Sequence, residues 1–284
     1  MNFKFFFIIC FLSANCVSSF SQKNYKQPQG NLFIIGGGNR SPALIQKLIQ
    51  TANLGKKDYI VVLPMSTEEP DTGYYYIKIE LEKACTNTIA NLNFTADKTT
   101  NKKWVDSLKN AKLIFITGGD QSRFMKIVLH TPVYDAIHIA YNKGATIAGS
   151  SAGAAVMSKQ MITGNQLLGD TSYHETFNKL IANNIELNEG LGLLDSVIVD
   201  MHFIVRSRYN RLISAIAKFT NFTGIGIDEG TAIIVHHKKI MVTGESQVVV
   251  FSQPEKLQIN SNGFIKFSNM HFSIYTSGDS FYLK

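Results

Sequence analysis

In Gly149-Ser150-Ser151-Ala152-Gly153 the residue types and their spacing could do chemistry. The stretch has the form G-x-S-x-G. The run Ala145-Thr146-Ile147-Ala148 leads into it and the small-residue stretch Ala154-Ala155-Val156-Met157 follows. A strand, a sharp turn and a helix in that order would thrust the Ser151 hydroxyl outward from a strained backbone. The flanking glycines permit such a turn because they carry no Cβ. The start of the helix would aim free N–H groups and the positive end of its dipole at an oxyanion formed beside Ser151. The chemistry that fits is attack by an activated hydroxyl on a carbonyl. A bare G-x-S-x-G is a weak signal, and its flanks give it weight.

A serine nucleophile needs a base, and the base needs a group to orient it. Among seven histidines, His130 and His138 fall in helical pattern, and His236-His237 lie in a polar turn. His174 follows the polar loop around Asp170, and His271 is near the C-terminus. His202 instead ends the apolar run Val197-Ile198-Val199, at the strand end where ligands meet an open parallel sheet. It is the expected base. For the orienting acid, Asp228 and Glu229 both close the run Gly224-Ile225-Gly226-Ile227, and alternation turns only one of them toward the site. Asp170 and Asp200 compete, and the residue pattern does not rank Asp228 against Glu229.

Two further groups stand at strand ends. Thr117-Gly118-Gly119-Asp120-Gln121 closes the run Leu113-Ile114-Phe115-Ile116, and its exposed backbone N–H groups could join that of Ala152 in an oxyanion hole. Arg206, Arg208 and Arg211 open an expected amphipathic helix running to about Lys218. Arginine forks bind carboxylates at two points, and several cations at the positive end of a helix demand anionic partners, from the protein or from a substrate.

The elements that must position these residues read as alternating strand and helix. Leu32-Phe33-Ile34-Ile35 is a doubly buried strand ending in Gly36-Gly37-Gly38, and Ser41-Pro42 opens a helix to Ile49. Strands follow at 59–63, 113–116, 196–199 and 224–227, with helices expected over 74–90, 104–110 and 132–143. This alternation predicts an α/β fold with a mostly parallel central sheet covered by helices on both faces. From about Thr231, short runs at 232–235, 240–243 and 248–251 read as an antiparallel extension. The triple glycine lacks the G-x-G-x-x-G fingerprint, so dinucleotide binding is not expected, and the glycines are read as letting this loop pass beneath the site.

Residues 1–21 read as a secretory signal peptide: Lys4, a compact apolar run at 5–12, and Ser19-Phe20-Ser21 before the cleavage point. Asn15 is a poor residue before a lipidated Cys16. Residues 22–30 are expected to be a mobile lead-in and 31–284 a single α/β domain. Export would leave Cys85 as the one cysteine of three, with no internal disulfide. The net charge of +7 is scattered rather than gathered into a basic stripe, so no nucleic acid is expected as a partner, nor a membrane span.

Gly118-Gly119-Asp120-Gln121, then Gly149 through Ala154, then Asp200-Met201-His202-Phe203 with the three arginines, then Gly226-Ile227-Asp228-Glu229-Gly230-Thr231-Ala232 closely resemble, in order, cyanophycinase and its relatives. These are serine peptidases that include the aspartyl dipeptidase E. The resemblance covers roughly residues 32–250. It implies a three-layer fold like that of class I glutamine amidotransferases (flavodoxin-like), with serine replacing cysteine. It implies Ser151 as nucleophile, His202 as base and Glu229 as orienting acid, and an oxyanion hole from Gly119 and Ala152. It implies that Asp120, Gln121, Arg206, Arg208 and Arg211 hold the substrate, with no metal or organic cofactor. The implied substrates are cyanophycin, a poly-aspartate backbone bearing arginine on each β-carboxyl and released as β-Asp-Arg, or small aspartyl or isoaspartyl peptides. A non-catalytic binder of acidic peptides is the rival from another class. The residue pattern does not decide the oligomeric state; relatives are often dimeric, so the resemblance allows a homodimer. The chain departs from the pattern at Met201, where cyanophycinases carry Gln before the histidine.

Overall fold

The computed structural model describes residues 27–169 and 173–283. The expected signal peptide, most of the 22–30 segment and Asp170 lie outside the described residues. In the described part of that segment Gly30 N–H donates to Tyr141 O at 3.0 Å, and Pro28 O lies 3.1 Å from His237 Nε2.

The chain begins with β1 (Asn31–Ile35), α1 (Pro42–Ala52), β2 (Tyr59–Leu63), α2 (Pro70–Glu82) and β3 (Thr88–Asn91). It continues with α3 (Lys102–Asn110), β4 (Leu113–Ile116), α4 (Gln121–Val128), α5 (Pro132–Asn142), β5 (Thr146–Ser150) and the short α6 (Ala152–Ala155). Next come the paired strands β6 (Gln160–Gln166) and β7 (Ile185–Glu189), then β8 (Val197–Met201), α7 (Tyr209–Lys218) and β9 (Thr223–Ile227). The C-terminal strands are β10 (Thr231–His236), β11 (Lys239–Gly244), β12 (Gln247–Glu255), β13 (Gln258–Ile259), β14 (Ile265–Lys266), β15 (Asn269–Thr276) and β16 (Ser280–Tyr282).

Local chemistry accounts for many boundaries. Ser41 caps α1 by accepting from Leu44 N–H, with Pro42 in the first turn. Thr131 and Pro132 do the same for α5. The helix expected over 74–90 instead begins at Pro70 and ends at Glu82. Residues 88–91 form an edge strand parallel to β2, in the register Tyr59↔Thr88. Asn87 secures that strand by donating to the carbonyls of Gly55 and Asp58. The gain from extending the sheet outweighs a weak helical pattern.

The central sheet has the order β16-β11-β10-β1-β5-β4-β2-β3, with β1, β5, β4, β2 and β3 parallel and the other three antiparallel. Its strands bury both faces. Phe33, Ile60, Val62 and Phe115 meet α1 and α2 on one side, while Leu32, Val61, Ile114 and Ile147 face the other.

The structure corrects one expectation about the sheet. β8 and β9 do not extend the central sheet; they belong to a second sheet of order β15-β12-β9-β8. Val197, Val199, Ile225 and Ile227 pack in the same core as Ile233 and Val242 of the first sheet. Ile198, Val249 and Phe251 pack beneath Leu212 and Ile216 of α7. Burial on both sides gives β8 and β9 the apolar texture of central parallel strands, so the sequence pattern is the same for either placement. Among the described residues no helix is long and apolar enough to cross a membrane.

Candidate active site

β5 is fully buried and ends at Ser150, so Ser151 emerges where the chain turns into α6. Its backbone sits at φ 53°, ψ −112°, a conformation costly for any residue with a side chain. The two motif glycines are required by contact. A Cβ on Gly149 would lie 2.1 Å from Gly153 O, and one on Gly153 would lie 2.2 Å from Ile116 O. Strand and helix thus meet too closely for any other residue.

Ser151 Oγ lies 2.8 Å from His202 Nε2, and His202 Nδ1 lies 2.6 Å from Glu229 Oε1. A carboxylate can only accept, so Nδ1–H donates to Glu229 and Nε2 is left to accept from the serine hydroxyl. His202 follows β8 at φ 50° and its N–H donates to Gly36 O at 2.8 Å. The glycine loop after β1 does pass beneath the site. A Cβ on Gly37 would stand 2.3 Å from His202 Cε1, and one on Gly38 would stand 2.7 Å from Glu229 Cβ. No other histidine comes within hydrogen-bonding distance of Ser151 among the described residues.

His202 is mostly buried, with 12 % of its side chain exposed. Burial pushes its pKa below the ordinary value, and the nearby charges of Arg206 and Arg208 push the same way against the opposing pull of Glu229. The imidazole is therefore neutral, and able to accept a proton, at neutral pH.

The competing acids have other work. Asp228 accepts from Ile204 and Val205 N–H at 3.0 Å each and from Ser246 Oγ at 2.7 Å, which fixes the turn after His202. Strand alternation sends Glu229 the other way, onto the imidazole. Asp200 is fully buried and bonds Arg211 through both oxygens, with Arg211 Nε at 2.8 Å.

The arginines do not share one role, and the expected helix starts later than Arg206, at Tyr209. Arg211 is 2 % exposed and is engaged by Asp200. Burial opposes its charge, but Asp200 offsets this and the pKa is raised. Arg206 is partly exposed and faces Glu175 at 3.4 Å. Arg208 is buried, donates to Met201 O and Tyr173 Oη at 2.8 Å each, and touches Met201 Sδ at 3.2 Å. Its Nε has no partner among the described residues. Asp200 carries one negative charge against two buried guanidinium groups, so the floor of the site holds a positive charge in excess.

The three arginines, Met201 and Tyr173 line a cleft of about 460 Å³. Ser151, His202, Gly119 and Arg208 are on its wall. Asp120 and Gln121 also border it, but each has a structural duty. Asp120 caps α4 through Ser122 and Arg123 N–H, and Gln121 Nε2 donates to the carbonyls of Ile162 and Thr163. Gly119, at φ 135°, packs so tightly on Ser66 that a Cβ would lie 2.3 Å from Ser66 O. Its N–H and that of Ala152 have no protein acceptor among the described residues, which leaves both able to bind an oxyanion. Among the described residues no three His, Cys, Asp or Glu side chains gather around a point where a metal ion could sit. Cys85 is a free thiol on the far side of the sheet, against the α1–α2 core.

The sequence reading missed Tyr173, Thr163 and Asn165 on the cleft wall. A signal was present for two of them: Gly164 between polar neighbours inside a strand pattern marks a bulge. Tyr173 carried no signal, because its place depends on the long excursion between β6 and β7.

The different duties of the arginines are open to a stability test. Asp200→Asn leaves Arg211 buried without its counter-charge and is expected to lower unfolding free energy by about 3–5 kcal/mol in urea titration. Arg206→Gln breaks only an exposed pair and is expected to change it by no more than about 1 kcal/mol.

Comparison with known proteins shows the family of the chain. The profile of peptidase family S51 matches residues 32–243. The cyanophycinase of a Nostoc species is 34 % identical over 236 residues, covering 80 % of this chain and 76 % of the relative. That of Geminocystis herdmanii is 30 % identical over 228 residues, covering 78 % and 80 %. A crystal structure of a peptidase from an acI-B1 actinobacterium superposes with a TM-score of 0.62 at 22 % identity, covering 90 % of this chain and 99 % of that one. A putative peptidase E protein from Listeria monocytogenes gives 0.51 at 17 %, covering 76 % and 99 %. The chain belongs to peptidase family S51.

Proposed function

We propose that this peptidase is a serine exopeptidase of aspartyl peptides, with Ser151 as nucleophile, His202 as base, Glu229 as orienting acid and cyanophycin as substrate. The observation that carries this reading is the hydrogen-bonded series from Ser151 Oγ through His202 to Glu229, opening on a cleft floored by the excess positive charge of Arg208. In this mechanism His202 Nε2 takes the Ser151 proton as Oγ attacks the scissile carbonyl. The oxyanion is held by the N–H groups of Gly119 and Ala152. The imidazolium, steadied by Glu229, returns its proton to the leaving amine, and water then hydrolyses the acyl-enzyme by the same steps in reverse order.

The substrate assignment is supported by the relatives' name and by a floor suited to a carboxylate. Met201 favours a second substrate reading, shorter α-aspartyl or isoaspartyl peptides. Its thioether packs on Arg208 and has no N–H to donate to a substrate carboxylate. Export is part of the proposal and rests on the composition of residues 1–21.

Incubating the protein with insoluble cyanophycin is expected to release β-Asp-Arg, detected by mass spectrometry, and Ser151→Ala is expected to abolish release with the fold intact by circular dichroism. No release, together with Ser151 labelling by a fluorophosphonate, would transfer the chemistry to the shorter peptides. No labelling would leave a binding protein. The acid limb of kcat/KM is expected below the ordinary histidine pKa of about 6.5. Arg206→Gln removes a charge that lowers the His202 pKa, so the limb is expected to move to higher pH; an unmoved limb would detach it from His202. N-terminal sequencing of the exported protein is expected to begin near Gln22, and a chain beginning at residue 1 would overturn export.

A further inference from the structure

The three arginines bordering the cleft differ in how far a ligand can reach them. Arg208 and Arg211 are 3 % and 2 % exposed. Arg211 gives Nε and Nη2 to Asp200. Arg208 gives Nη1 to Met201 O, and its Nε is enclosed without a partner among the described residues. Arg206 is partly exposed but faces Glu175. Tyr173 is the accessible neighbour of the two buried guanidinium groups: it lines the cleft, bonds both of them and is 52 % exposed.

Arg208 Nη2 donates to Tyr173 Oη at 2.8 Å, and Arg211 also hydrogen-bonds the phenol. A guanidinium can only donate, so Oη accepts from both arginines and its own hydrogen is left over. Among the described residues no acceptor takes that hydrogen. Bonds in series polarise one another, and an oxygen that receives bonds from two cations is a stronger donor in its turn. The phenol thus offers the charge behind it to the cleft through one directed O–H.

The ring is fixed where it stands. Gly164 takes φ 100° in the β6 bulge, and a Cβ there would lie 2.8 Å from Tyr173 Cε2 and 3.2 Å from Arg211 Nη1. The bulge therefore abuts ring and guanidinium together. Just beyond Tyr173, Thr176 Oγ1 donates to Ser207 O and Asn210 Nδ2 donates to Phe177 O, each at 2.7 Å. Phe177 is buried in the same core as Leu212 and Ile216 of α7. A carboxylate reaching Arg208 or Arg211 directly would have to displace this anchored ring, whereas a bond from Oη displaces nothing.

We infer that Tyr173 is a specificity-determining residue, whose hydroxyl donates to a carboxylate of the bound peptide while Arg208 and Arg211 act through it rather than by contact. The two buried arginines then orient the phenol and supply its charge, and do not hold the substrate themselves. This inference rests on the serine exopeptidase reading above and names the residue through which that site reads an acid.

The test pairs each substrate with an uncharged counterpart. A tri-aspartyl peptide bearing arginine on each β-carboxyl is set against the same peptide with the arginine carboxylates as carboxamides, and Asp-Leu is set against Asn-Leu. Each pair that is cleaved gives a ratio of kcat/KM, acid over amide. Wild-type protein is expected to favour the acid by about tenfold or more. Tyr173→Phe keeps the ring that packs on Gly164 and is expected to lower the ratio by about tenfold, through KM, the worth of one hydrogen bond to a charged group. The ratio is the readout because general damage to the cleft would slow acid and amide together. An unchanged ratio in Tyr173→Phe overturns the inference, as does a wild-type ratio near one. A ratio that rises also overturns it, since the phenol would then be screening the arginines from the substrate. All three results leave the serine chemistry standing. Cleavage of neither pair, with Ser151 labelled by a fluorophosphonate, overturns the acidic-peptide reading and this inference but keeps the nucleophile. Without labelling, the whole functional reading falls.

Discussion

Two backbone hydrogen bonds join the halves of this site: His202 N–H to Gly36 O and Gly230 N–H to Gly37 O. They fasten the ends of β8 and β9, in one sheet, to the loop after β1, in the other. Ser151 belongs to the first sheet and His202 and Glu229 to the second, so the distances between them depend on this joint. Because Gly37 and Gly38 have no side chains, the imidazole and the Glu229 carboxylate can rest directly on the loop backbone. Close-packed interiors transmit small displacements, and a side chain here would separate base from nucleophile.

The same economy of space appears around Ser151. Gly149 and Gly153 let strand and helix touch, and Gly119 lets the neighbouring loop settle on Ser66. The strained backbone of Ser151 is held by buried elements on every side: β5, α6 and the end of β4. Strain of this kind persists where the surrounding fold over-determines it. The neighbouring charges follow a similar division. Asp200 and Arg211 form a buried pair behind the cleft, which leaves Arg208 facing it without a full counter-charge.

Much of this was legible in the chain. The Ser151 elbow, the continuous apolar runs of β1, β2 and β4, and the Ser41-Pro42 helix start follow from local rules that hold whatever surrounds them. The early edge strand at residues 88–91 was not legible, since a short Thr-Ile-Ala-Asn segment takes its conformation from the strand beside it. Nor was the division among Arg206, Arg208 and Arg211. Spacing places three cations near one another, while burial and the reach of Asp200 decide which one is neutralised.

The sequence by itself determined the nucleophile candidate, the alternation of strands and helices, and the set of residues from which base and acid could be drawn. Those are properties of backbone conformation and of hydrophobic period, both encoded within a few residues. Only the tertiary structure decided that β8 and β9 form a second sheet, that Asp228 turns to the backbone after His202 while Glu229 meets the imidazole, and that a bulge brings Thr163 and Asn165 to the cleft wall. Each of these depends on how two sheets pack face to face. The burial pattern of a strand is the same whichever apolar surface covers it, so no local run of residues contains that choice.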